Sequence, residues 1–155
     1  MQLTTTQMRL TAIYLKIAKA EIGTTEIPGP KDNPRIAEYL HATDIGHPYD
    51  DNDETPWCSA FVNWVVAAAG VKLPSIAPKG TRSAMARSWL KWGTEIKTPI
   101  PGAIVIFRRG KPPQGHVAFV VEKQGSRLLV VGGNQSDAVT QATYPLEDVL
   151  GYRIP

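Results

Sequence analysis

The chain changes texture once, near residue 93, and that change limits the fold more than any other feature. Before it, apolar residues recur at helical spacing; after it, short β-rich runs are separated by turn residues. Met8, Leu10, Ile13, Leu15, Ile17 and Ala20 predict a first helix over residues 6–21, with Gly23 placed to end it. "PRIAEYLH" predicts a short second helix, with Asn33 as N-cap and Pro34 at its first position. The third is the most sharply bounded. Thr55 is its expected N-cap, Pro56 fits the first turn, and apolar residues run through "CSAFVNWVVAAAG" to Gly70. A helix apolar nearly all round belongs at the centre of a fold. "TRSAMARSWLKWG" predicts a fourth helix from about Thr81 to Trp92, stopped by Gly93.

The runs "GAIVIF", "HVAFVVEK", "RLLVVGG", "AVTQATY" and "VLGYRI" then predict about five strands of an antiparallel meander. "KQGS" is short enough for a hairpin between the second and third of them. Helices first and strands afterwards argue an α+β fold, the helices packed on the sheet. With 155 residues and no repeat or linker, residues 1–155 are expected to form one domain. A single cysteine makes no internal bridge, and 43% hydrophobic with 20% charged residues excludes a disordered or fibrous chain. The net charge of +3 favours encounter with acidic polymers, yet no Lys/Arg run marks a nucleic-acid partner. No apolar stretch reaches the eighteen or so residues of a membrane span, and the N-terminus lacks a signal-peptide pattern. Synthesis in the bacterial cytoplasm, no membrane insertion and a monomeric state are therefore expected.

Three residues carry the chemistry. Cys58 lies three positions after Thr55, where the unpaired N–H groups and dipole of a helix N-terminus stabilise a thiolate. His116 opens the strand "HVAFVVE", and Gly115 before it leaves room beside the ring. "VVGGNQSD" ends a strand in two glycines and presents Asn134, whose amide can accept an imidazole N–H and fix its tautomer. Each signal is weak alone, since free Cys is often core and Gly-Asn is a common turn. Their order, thiol at a helix start, imidazole at a strand start and amide at a strand end, is that of a Cys-His-Asn nucleophilic triad.

"WCSAFVNW", "GHVAFVV" and "GGNQSD" resemble the CHAP and NlpC/P60 group of papain-like cysteine peptidases and amidases, which cut peptide or amide bonds in bacterial peptidoglycan. "EIPG", "NPRI", "DETPWC", "GTRSAMARSWLKWG" and "GYRIP" resemble segments of small phage-associated and bacterial members, so the similarity runs from about residue 12 to the end. The resemblance implies a papain-like fold, with Cys58 as nucleophile, His116 as general base and Asn134 as the group orienting it. Many CHAP enzymes carry Glu two residues before the Asn; here that place is Gly132, which leaves Gln135 and Asp137 as competitors for the orienting role. Trp57, Glu54, Gly115 and Gln135 are expected along the substrate path. Trp64 and Trp89 are expected in the core.

The acidic run "DDNDE" lacks the spacing of an EF-hand. It is expected to be a solvated loop beside the cleft and the protein to need no cofactor, although some CHAP enzymes hold calcium in such a loop. Asp51 and Asp53 are the carboxylates a cation would use. The resulting expectation is a peptidoglycan hydrolase of the phage endolysin type, acting in the periplasm or cell wall after release. An interbacterial toxin with the same chemistry, an acyltransferase, and a noncatalytic wall-binding or virion module are the alternatives. Which stem-peptide bond would be cut is not encoded in any motif.

Overall fold

The structure, a computed structural model, describes residues 2–53 and 55–155. Three α-helices come first: α1 (Thr5–Ala20), α2 (Pro34–His41) and α3 (Cys58–Lys72). Six strands follow: β1 (Thr94–Ile96), β2 (Ile104–Arg108), β3 (Gly115–Gln124), β4 (Arg127–Gln135), β5 (Ala138–Pro145) and β6 (Val149–Ile154). They form one antiparallel sheet in the order β1-β6-β2-β3-β4-β5, so the fold is α+β as the sequence predicts.

The helix starts of α1 and α2 follow from local chemistry. Thr4 and Gln7 form a reciprocal capping box, and the Asn33 side chain accepts the Arg35 N–H ahead of Pro34. β3 and β4 meet at Gly125–Ser126, a two-residue hairpin loop that fixes their register from Gln124 opposite Arg127.

Three sequence expectations are corrected. The sheet has a sixth strand, β1, whose three residues pair with β6 and are too few to show alternation. The fourth helix reduces to a 3₁₀ segment at Ala86–Lys91. Its first half is drawn into side-chain hydrogen bonds: Asn63 of α3 accepts from the Arg82 N–H and donates to the Ser83 carbonyl, and Thr81 Oγ1 and Ser83 Oγ accept from the Ser83 and Met85 N–H groups. Such bonds compete with the helical ladder. Finally, α3 begins at Cys58 and runs through Gly70 to Lys72.

α3 is the centre of the main core, with Phe61, Val62, Val65, Val66 and Ala69 fully buried among Tyr14, Tyr39, Ile104, Ile106, Phe119 and Val131. A second cluster, including Ala103, Val105, Val120, Leu128 and Val130, covers the opposite face of the sheet. The contact between α3 and the sheet is close because β4 offers no side chain there. A Cβ on Gly133 would come within 2.7 Å of Phe61 and Trp57. That approach brings the start of α3 to the ends of β3 and β4.

Candidate active site

Cys58 is the first residue of α3, with Trp57 in the cap position and no side chain capping the end. The Thr55 hydroxyl, expected as the cap, donates to the Tyr49 carbonyl instead. The first helical bond is Phe61 N–H to the Trp57 carbonyl, so the N–H groups of Cys58, Ser59 and Ala60 have no acceptor within the helix. Burial pushes the thiol above its ordinary value, while backbone hydrogen bonds from Val117 and Ser59 and the positive field of Arg109 oppose this. The bond from Val117 puts the sulfur at the first residues of β3. There β4 has already separated, because the β3–β4 ladder ends at Phe119 opposite Val131.

His116 lies in that opening, only 2% exposed, with its ring packed against those of Phe107 and Tyr144, which also touch each other. Its Nε2 lies 2.8 Å from Gln135 Oε1. The orientation of that amide is forced, because Gln135 Nε2 lies 2.8 Å from the Thr140 carbonyl, which can only accept. The oxygen therefore faces the imidazole, and His116 Nε2 must carry the hydrogen and donate. Nδ1 is left with its lone pair, buried and without a hydrogen bond among the described residues. Burial holds the imidazole down at about 4; the Gln135 hydrogen bond pulls upward and Arg109 adds to the lowering. At neutral pH the thiol and imidazole are thus both uncharged in this state.

The side chain on the imidazole is that of Gln135, where the sequence expectation is Asn134. The reason is a bulge. The β4–β5 register shifts between Gly132 and Gln135, and Asn134 takes a left-handed backbone with φ 57°. One extra residue changes which side of the strand each following side chain meets, so residue 135 rather than 134 turns toward His116. Gly132 has its own part in this: a Cβ there would lie 2.8 Å from Gln135 Oε1 and 2.9 Å from Ala118 Cβ. Asp137, the other competitor, sits in the β4–β5 turn with φ 61° and interacts with Glu26.

Two cavities open on this centre. One of about 530 Å³ includes His116, Gln135, Tyr144, Phe107 and Asp148; the other, of about 420 Å³, includes Cys58, Pro56, Met85, Gln114 and Gly115. Arg109 and Asn134 line both. The wall formed by Ala84–Ala86 is held by α3, where the Ser59 hydroxyl donates to the Ser83 carbonyl and accepts from the Trp89 indole.

The four residues expected along the substrate path fare differently. Gly115 lines the cavity with Cys58, and Gln135 the one with His116. Trp57 does not line the cleft: it is fully buried, stacked on Tyr39, with its indole N–H donated to Glu26. An indole flanking the thiol in sequence is turned away because the first turn of α3 faces the core on that side. Glu54 lies outside the described residues. Trp89 is fully buried as expected, whereas Trp64 is half-buried, with the Arg35 guanidinium over its ring. Sequence reasoning missed Tyr144, whose hydroxyl is 3.4 Å from His116 Nε2, and Arg109; neither belongs to a recognisable motif.

Of the carboxylates considered for a cation, Asp51 groups with Asp50 and His41, their ligand atoms within 4.8 Å of one another. Asp53 is not part of that group. It is buried, and its Oδ2 accepts the backbone N–H groups of Ile27 and Asn33, tying the 26–33 loop in front of α3.

The model of the CHAP domain matches residues 49–134, more than half of the chain, and spans both Cys58 and His116. The chain belongs to the CHAP domain family. CHAP domains are generally cysteine- and histidine-dependent amidohydrolases or peptidases that act on peptidoglycan, and the thiol and imidazole here line adjoining cavities that share Arg109 and Asn134. The match stops one residue before Gln135. No curated protein matches the sequence. Among the described residues no helix is long and apolar enough to cross a membrane.

Proposed function

We propose that this CHAP domain cleaves an amide or peptide bond of the peptidoglycan stem peptide through a cysteine acyl-enzyme. The observation that carries the reading is the tautomer of His116: with Nε2–H given to Gln135, the free lone pair is on Nδ1, the nitrogen available to a thiol. The thiol proton passes to Nδ1 as sulfur attacks the carbonyl carbon. The imidazolium then returns that proton to the leaving nitrogen. The same base activates the water that splits the thioester, releasing the acid product and regenerating the thiol.

Because thiol and imidazole are both neutral at rest, the ion pair forms as substrate enters, where the Gln135 carbonyl oxygen stabilises the charged ring. The N–H groups at the start of α3 that have no acceptor within the helix, foremost that of Cys58, are the available donors for the oxyanion. Release in phage lysis, with action on the wall from the periplasmic side, is the setting we infer, and the sequence resemblance to small phage members supports it. Mass spectrometry of purified peptidoglycan incubated with the protein tests the reaction. New muramic acid ends mean an amidase and new peptide termini an endopeptidase; neither forms with Cys58→Ala. Products that persist unchanged in that variant would overturn the mechanism.

A further inference from the structure

Among the described residues, one cation lining the cleft has nothing to hold. Arg109 follows directly on β2, in the connection that returns the chain to Gly115 and His116. The guanidinium groups of Arg108 and Arg87 nearby are engaged. Arg108 donates to the Glu147 carbonyl and pairs with Asp148 at 3.3 Å, and Arg87 donates to the Gln114 carbonyl at 2.7 Å. Arg109 is exposed and makes no ion pair or hydrogen bond among the described residues. It lines the Cys58 cavity and the His116 cavity alike, and among the described residues only Asn134 shares that position. Among the described residues Asp148 is the one acidic residue lining either cavity, and Arg108 holds it.

A fixed positive charge there works against the base. Protonating His116 beside Arg109 brings two cations together, and Arg109 contributes to holding the imidazole in its neutral form. An anion seated on the guanidinium would cancel that opposition when the ring must accept a proton. A planar fork of donors suits a carboxylate in two parallel hydrogen bonds. A peptide lying across both cavities places its backbone over Cys58 and its flanking groups within reach of residue 109.

We propose that Arg109 and the adjoining Asn134 form a carboxylate subsite that selects peptides with a free carboxylate next to the scissile bond. The proposal rests on the peptidase or amidase reading above and specifies its substrate: a stem peptide whose γ-linked glutamate keeps its α-carboxylate, in preference to the carboxamide form. The subsite supplies recognition and charge balance; the bond-making steps stay with Cys58 and His116.

Two synthetic stem peptides, identical except for carboxylate or carboxamide at that glutamate, make the test. Wild type is expected to favour the carboxylate peptide by roughly tenfold to a hundredfold in kcat/KM. Arg109→Ala should remove the preference by losing turnover of the carboxylate peptide alone, with Arg109→Lys recovering part of it. Equal turnover of the two peptides by wild type, or an equal loss on both in Arg109→Ala, overturns the proposal. Calorimetric binding of the same peptides to Cys58→Ala separates the subsite from the reaction. Carboxylate-selective binding that vanishes in Cys58→Ala/Arg109→Ala supports the subsite even where wild type cuts neither peptide, a result that would overturn the hydrolase reading instead. Binding without carboxylate preference overturns the subsite.

Discussion

A buried imidazole is defined by what its two nitrogens face, and here a glutamine decides. Gln135→Ala leaves Nε2 without its acceptor, so the tautomer with hydrogen on Nδ1 competes and the base is lost for part of the time. A decrease in kcat of roughly one to two orders of magnitude is expected, within the range for general-base function. Gln135→Glu should restore much of the orientation while placing a negative charge on the ring, which favours imidazolium. The acid limb of kcat/KM then moves to higher pH than in wild type, whereas a purely structural role for Gln135 would leave it in place. Asn134→Ala should keep the imidazole geometry and cost about 1 kcal/mol of stability, because alanine tolerates the left-handed backbone less well. Denaturant titration alongside the kinetics checks both. Cys58, His116 and the amide type could all be read from the sequence; which residue supplies the amide could not. Choosing between Asn134 and Gln135 depends on which side of the strand each faces, and the bulge at Asn134 changes that by one residue.

At the scale of elements, the contact of α3 with β4 sets the position of the thiol. The sequence shows α3 by its unbroken apolar run, and its central place follows from that run. Its first residue was harder to read. Thr55 and Pro56 look like a cap and a first turn, yet the Thr55 hydroxyl is used by the Tyr49 carbonyl and the helix starts uncapped at the nucleophile. An Asn or Ser cap would occupy the Ser59 or Ala60 N–H at the helix end beside the nucleophile. Likewise, hydrogen bonds to Asn63 of α3 join the local ones of Thr81 and Ser83 in unwinding the expected fourth helix, and the part played by Asn63 is a tertiary effect that no local pattern contains. Gly133→Ala tests the contact. A Cβ at 2.7 Å from Phe61 and Trp57 forces the helix outward, and a loss of about 1–3 kcal/mol is expected from such overpacking. Urea midpoints should fall at unchanged m-value, with activity lost beyond what the fraction unfolded explains. Gly132→Ala, which intrudes on Gln135 Oε1, should instead reproduce the kinetics of Gln135→Ala.

For the molecule as a whole, burying the base inside the sheet opening links stability to pH. Facing His116 are the Gln135 amide, the Tyr144 hydroxyl and the Arg109 charge, with the Cys58 thiol in the adjoining cavity; burial raises both the hydroxyl and the thiol, so neither ionises in mildly acidic solution. In the unfolded chain the imidazole takes up a proton near its ordinary 6.5, but in the folded protein only near 4. Between these values the unfolded state binds more protons than the folded one. Stability therefore falls as pH decreases through that window and the contribution is fully present above it. The difference corresponds to about 3 kcal/mol across the window. His116→Asn removes the titrating group, so its unfolding free energy should decline less between pH 7 and pH 4 by about that amount. Other carboxylates contribute to both proteins and cancel in the comparison. Parallel curves for variant and wild type would mean that the folded imidazole titrates like an exposed one, and the neutral resting pair of Cys58 and His116 would have to be abandoned.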